Sequence, residues 1–198
     1  MLKSKWIRIL TSLGVVLLIV FIVVPPFTRK WYGIHSLKLA PPVPANSWKK
    51  FSSPEGRFSV WFPGTPEETT KPLHNLIGEI EAHSFAVKAD IQDFYAIVYG
   101  DIPPTVDLEN PSNLFDRAQA MEADQNGRGK IVFQQEKKLK NYPGREFEFA
   151  AGGKANYSGR IRVFLVGRRL YVLTVVFLTA NPHPEDRAIF FNSFSLVN

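Results

Sequence analysis

The sequence predicts an α+β fold, an antiparallel β-sheet flanked by helices, standing behind one N-terminal transmembrane helix. Three observations carry that expectation. Ile9 to Val24 is apolar except for Thr11, Ser12 and Gly14, and it follows the basic trio Lys3, Lys5 and Arg8. Beyond residue 50, short alternating apolar segments recur between glycine- and proline-bearing turns, the pattern of strands. One of these segments, Leu170 to Leu178, has Thr174 as its single polar side chain. Both faces of that strand are therefore expected to be buried, in the middle of a sheet covered on both sides.

The chain divides into four parts. Residues 1–8 form a basic tail expected to stay in the cytoplasm. Residues 9–27 form the transmembrane signal-anchor helix. From Trp6 to Phe27 the apolar stretch and its flank match the ~20 residues that cross a hydrocarbon core. Trp6 on one side and Trp31-Tyr32 on the other suit the two headgroup zones, and Pro25-Pro26 stops the helix near the far side. A cleaved signal peptide shares the basic start, but Val23-Val24-Pro25-Pro26 offers no small-x-small cleavage site. A buried core helix is the third reading, and the run lacks the polar face it calls for. Basic residues flank both ends almost equally; the N-terminal cluster favours an inside tail and an exported C-terminal domain. Residues 28–50, with Pro41, Pro42 and Pro44, read as a stiff linker, and 51–198 as the globular α+β domain.

Within that domain, Arg57 to Phe62 alternates and stops at Pro63-Gly64-Thr65-Pro66. Glu79–Lys88 and Phe94–Tyr99 are the next strands. Asn110-Pro111-Ser112 marks a helix start, and helix formers continue to Gln125. Strands follow at Ile131–Glu136, Arg145–Ala150, Arg160–Val166 and Leu170–Leu178, the last two joined by a turn at Gly167-Arg168-Arg169. A short helix from Pro184 to Asn192 precedes a last strand, Ser193–Val197. Glu146 and Glu148 share one face of their strand, as Arg160 and Arg162 do of theirs, so hairpin pairing brings acid opposite arginine.

Charge argues against a polyanion partner. The chain carries a net charge of +6, yet residues 1–50 hold eight basic groups and no acid, leaving the remainder at −2. A nucleic-acid-binding domain carries its positive field on the folded surface, so no nucleic-acid partner is expected. With no cysteine in the chain, disulfides, thiolate catalysis and cysteine zinc sites are excluded.

Four stretches together resemble one family. They are Glu55-Gly56-Arg57-Phe58-Ser59-Val60-Trp61-Phe62-Pro63-Gly64-Thr65-Pro66, Tyr142-Pro143-Gly144-Arg145-Glu146, Arg169-Leu170-Tyr171-Val172-Leu173 and Asn192-Ser193-Phe194-Ser195-Leu196. Their order and spacing resemble bacterial domains related to the PsbP-like family, over residues 51–198. That resemblance implies an α/β/α sandwich on an antiparallel sheet and a non-enzymatic binding or assembly role. It supplies no metal- or partner-binding residue for this chain.

The residues themselves point to little chemistry. No GxSxG elbow, P-loop or dinucleotide fingerprint is present, and none of His35, His74, His83 and His183 forms an i, i+4 pair. His83 shares a strand face with Glu79 and Glu81, a set whose plain reading is a solvated face. No catalytic residue, metal or cofactor is expected. The expected recognition surface is Arg160, Arg162, Arg168 and Arg169, because arginine suits carboxylate, phosphate and protein contacts; cross-strand pairing with Glu146 and Glu148 is its plainer reading. The expected function is a membrane-anchored, non-catalytic binding or assembly domain of the cell envelope. Its partners are the membrane, through residues 9–27, and an envelope protein. The alternative is a small-ligand carrier or sensor with an apolar pocket lined by Phe94, Tyr95, Tyr99, Phe133 and Phe177. A hydrolase with an unrecognised site comes third.

Overall fold

A computed structural model describes residues 42–75, 78–89, 93–125, 129–151, 157–179 and 183–197. The expected tail, the transmembrane segment 9–27 and the linker as far as residue 41 lie outside the described residues. No helix among the described residues is long and apolar enough to cross a membrane.

Seven antiparallel strands form the main sheet. In spatial order they are β3 (Glu67–Asn75), β4 (Gly78–Lys88), β5 (Phe94–Asp101), β9 (Arg169–Leu178), β8 (Tyr157–Val166), β7 (Tyr142–Ala151) and β6 (Gly129–Leu139). β9 lies at the centre, and every residue from Leu170 to Phe177 is buried, as its unbroken apolar run requires. A second, three-stranded sheet is built from β1 (Lys49–Ser53), β2 (Phe58–Phe62) and β10 (Ser195–Leu196), with β2 in the middle.

Strand alternation sorts the core into two layers. On one side of the main sheet, Ala96, Val98, Phe147, Phe149, Ile161 and Val163 pack under helix α1 (Pro111–Gln125). The helix contributes Leu114, Phe115 and Ala118, one stripe at helical spacing. Asn110 caps its start, accepting a hydrogen bond from the Ser112 amide through Oδ1 at 3.2 Å. On the other side, Phe85, Tyr95, Ile97, Leu173 and Val175 meet Phe58, Val60 and Phe62 of β2. Helix α2 (Pro184–Ser193) adds Phe190 and Phe191 there. Its N-terminal proline fits a turn whose first amides lack partners anyway, and Glu185 and Asp186 complement the positive end of the dipole. Burying each of these aromatic side chains contributes ~1.5–3 kcal/mol.

This arrangement corrects the expected fold class. The domain is β-rich and is not an antiparallel sheet flanked by helices, nor an α/β/α sandwich. The described residues contain two α-helices of 15 and 10 residues, and the small sheet does much of the covering on the α2 side. The discrepancy has two sources. β1 begins in the stretch read as linker, where Trp48 just before it is buried against Tyr95 at 5.8 Å between ring centroids. β3 is polar and contains Pro72, features that suit an edge strand, where one row of amides needs no ladder partner. Val43 and Trp48 thus pack with the core that the later strands build.

Candidate functional site

The expected arginine surface divides in space. Arg160 and Arg162 point from β8 onto the part of the main sheet that the small sheet leaves open. Register places Glu148 opposite Arg160 and Glu146 opposite Arg162, as the hairpin reading required. Glu146 is 1% exposed. Its carboxylate accepts from Arg162 Nε and meets Arg160 Nη2 at 2.7 Å and Lys137 Nζ at 3.7 Å. Burial pushes this carboxyl up, but the Arg162 hydrogen bond and the charges of Arg162, Arg160 and Lys137 prevail and hold it below the usual range. Arg162 also donates to the Phe191 carbonyl at 2.9 Å and to Asn192 Oδ1 at 3.2 Å, tying β8 to the end of α2.

Aromatic rings lie among these charges. The Arg160 guanidinium sits 5.0 Å from the Phe133 ring centroid, and that of Arg162 4.9 Å from Phe191. Phe133 and Tyr142 are exposed, and Val132, at the bulge in β6, is 54% exposed. Of the five large apolar side chains exposed among the described residues, these three share the β6–β7 hairpin. The open face therefore combines immobilised guanidinium groups with uncovered aromatic surface.

Arg168 and Arg169 belong elsewhere. Arg168 donates to the carbonyls of Ile102, Pro103 and Val106, clamping the loop that leads to α1. Arg169 makes a two-pronged pair with Asp101 at 2.8 and 2.7 Å, reaches the Glu55 carbonyl at 2.7 Å and lies over Tyr99. The Arg169 hydrogen bond holds the Asp101 carboxyl below its usual range. Burial and the Glu55 charge, against the opposing Arg169, leave the Tyr99 phenol pushed up to about 12.

The motif residues serve the architecture. Tyr171 Oη donates to the Gly56 carbonyl at 2.7 Å, and the Gly56 amide donates to Ser53 Oγ at 3.0 Å. A Cβ on Gly144 would stand 2.4 Å from the Val163 carbonyl oxygen, so a side chain there would force β7 and β8 apart. Arg145, the next residue of that motif, reaches to the opposite face and pairs with Glu136 and with Asp116 of α1. Ser193 Oγ accepts from the Trp61 amide at 2.9 Å, and the Phe194 ring stacks on Phe164 at 6.0 Å.

His83 stacks on Tyr99 at 4.6 Å, meets Thr70 Oγ1 at 3.1 Å and lies 3.9 Å from Glu81. The side chain of Glu79 lies outside the described residues. No group of three His, Asp or Glu side chains among the described residues is placed to hold a metal ion. The five aromatics expected to line a pocket do not converge: Phe94 packs on the α1 side, Tyr95, Tyr99 and Phe177 on the other, and Phe133 on the open face.

Sequence reasoning missed one concave feature. A groove of about 550 Å³ runs between the incoming chain at Val43 and Trp48, the small sheet at Trp61, and α2 at Ile189. It was missed because one wall belongs to the stretch read as linker. The single signal in the sequence was Trp61, an outward-facing tryptophan in an alternating strand.

These features define a β-rich two-sheet domain. No protein-family model and no curated protein matches the sequence. In fold it is similar to cyanobacterial PsbP (CyanoP) from Synechocystis sp. PCC 6803, with a TM-score of 0.53 at 13% identity over 81% of this chain and 98% of that one. The resemblance to PsbP-like domains read from the four motifs thus holds at the level of fold. More distant matches are a Bacteroides thetaiotaomicron VPI-5482 protein (TM-score 0.43, 11% identity, 77% of this chain and 49% of that one) and the type VI secretion immunity protein TplEi of Pseudomonas aeruginosa (0.37, 11%, 80% and 58%), whose structure holds an "L" peptide.

Proposed function

We propose that this chain is a membrane-anchored, non-catalytic binding or assembly domain of the cell envelope. Residues 9–27 hold it in the membrane, the folded domain lies outside the cytoplasm, and the open face of β6, β7 and β8 contacts a protein partner. The observation that supports this reading is the grouping of exposed Phe133 and Tyr142 with the guanidinium of Arg160, fixed by the buried Glu146. Aromatic residues and arginine are the side chains enriched at protein interfaces, and guanidinium groups already held in place lose less entropy on binding. The non-enzymatic part of the reading draws further support from the sequence, where no catalytic constellation is recognisable.

The test is photocrosslinking of the full-length protein in its native membrane, with the reactive residue at Phe133, Tyr142 or, on the opposite sheet edge, Glu67. The same discrete protein adduct from positions 133 and 142, absent from 67 and lost when Arg160→Glu is added, is the expected result. Equal labelling from all three positions, or no adduct from any, contradicts the assignment of this face.

A further inference from the structure

The groove beside Val43 is chemically unlike the open face. Trp61 and Ile189 on its walls are each 42% exposed, and among the described residues they are the two large exposed apolar side chains that do not belong to the β6–β7 hairpin. The small sheet turns Lys50, the register partner of Trp61, to the same outer side, where it is exposed. Two acids line the groove, Glu185 exposed on its rim and Asp186 buried in its wall.

The groove is also where the chain enters the domain. Val43 donates its amide to Asp186 Oδ2 at 2.9 Å, which fixes the incoming chain to α2. Residues 28–41 separate this point from the proposed anchor and span at most ~50 Å at ~3.3–3.6 Å per residue, whatever their arrangement. The tether therefore keeps this pole of the domain within that distance of the bilayer. At the high effective concentration a short tether imposes, a weak surface affinity is enough to hold it there.

We infer that the groove pole docks on the lipid bilayer, with Trp61 and Ile189 entering the headgroup–acyl boundary and Lys50 facing lipid phosphates. A tryptophan beside a lysine suits that boundary, where an apolar body and a polar edge are both accommodated and anionic headgroups attract the cation. Docked in this way, the domain keeps the β6–β7 hairpin, at the far edge of the main sheet, available to a partner. The inference rests on the proposed anchor.

The chain has no cysteine, so Trp61→Cys, Ile189→Cys and Val132→Cys each label at one place. Each full-length variant is labelled with a fluorophore and reconstituted into nanodiscs of phosphatidylethanolamine and phosphatidylglycerol carrying a lipid-borne quencher. Circular dichroism confirms folding, and a carbonate wash of the source membranes reports the anchor. The expected result is retention through the wash and quenching at 61 and 189 at least roughly threefold above that at 132, as interfacial burial requires. Retention with equal quenching at all three positions overturns the docking and leaves the anchor standing. Shielding of position 61 from an aqueous quencher without lipid quenching also overturns it, showing the groove covered by protein, either a preceding stretch of this chain or a second copy. Extraction by carbonate refutes the anchor itself, and the docking with it.

Discussion

Replacing Glu146 with glutamine removes one charge and almost no volume from the centre of the open face. The carboxylate side chain is 2% exposed and faces Arg160, Arg162 and Lys137. Breaking a buried ion pair by removing one partner costs ~3–5 kcal/mol, because the remaining charge stays desolvated. Here the lower end applies. Arg162 keeps the Phe191 carbonyl and Asn192, while the side chains of Arg160 and Lys137, 31% and 34% exposed, can turn toward water. A loss of ~3 kcal/mol corresponds to a fall in Tm of ~6–12 °C for a domain of this size. The effect also depends on pH. Glu146 titrates below its unfolded value of 4.5 in the folded state, so its stabilisation is complete above that pH and is lost as pH falls through the lower folded value. Glu146→Gln lacks this acid limb, and the two proteins converge in stability as pH falls through the lower folded value. Urea and thermal unfolding of the detergent-solubilised full chain between pH 7 and 3, followed by circular dichroism, measures both parts. A loss under ~0.5 kcal/mol at pH 7, the size of an ordinary surface change, with an unaltered acid limb would refute the reasoning.

Gly144→Ala places a methyl group 2.4 Å from the Val163 carbonyl oxygen, and the resulting strand shift is expected to cost ~1–3 kcal/mol, read as a lower urea midpoint. Tyr171→Phe deletes the donor to the Gly56 carbonyl and leaves that acceptor buried; a loss of ~1–2 kcal/mol by the same assay is expected. Arg168→Ala frees the carbonyls of Ile102, Pro103 and Val106, so amide exchange across 102–106 accelerates by at least ~10-fold while the centre of β9 stays protected.

The central hairpins were legible because their signals are local. The apolar run of β9, the alternation in β7 and β8, and the opposed Glu146–Glu148 and Arg160–Arg162 pairs each specify register over a few residues. The edges were not. β3 is polar enough to look like loop, and β1 sits beside prolines; β2 and β10 were read as strands, but no local signal separates them from the main sheet into a second one. The pairing of Glu146 with the arginines was foreseen, but its burial was not, because it depends on the end of α2 closing over β8. Arg168 and Arg169 separate for a different reason. Adjacent in sequence, they point to opposite faces of the sheet, one toward the α1 loop and the other toward Asp101 and Glu55. The groove needs residues 43, 61 and 189 together, and no pattern in the chain announces that meeting.

The most direct test of the account places a tag at the C-terminus and combines a carbonate wash with protease protection. A chain that resists the wash, and whose tag is digested once the outer barrier is opened while the inner membrane is intact, is anchored and carries its domain outside the cytoplasm, as proposed. A tag that survives until the inner membrane is lysed places the domain in the cytoplasm and contradicts an envelope role.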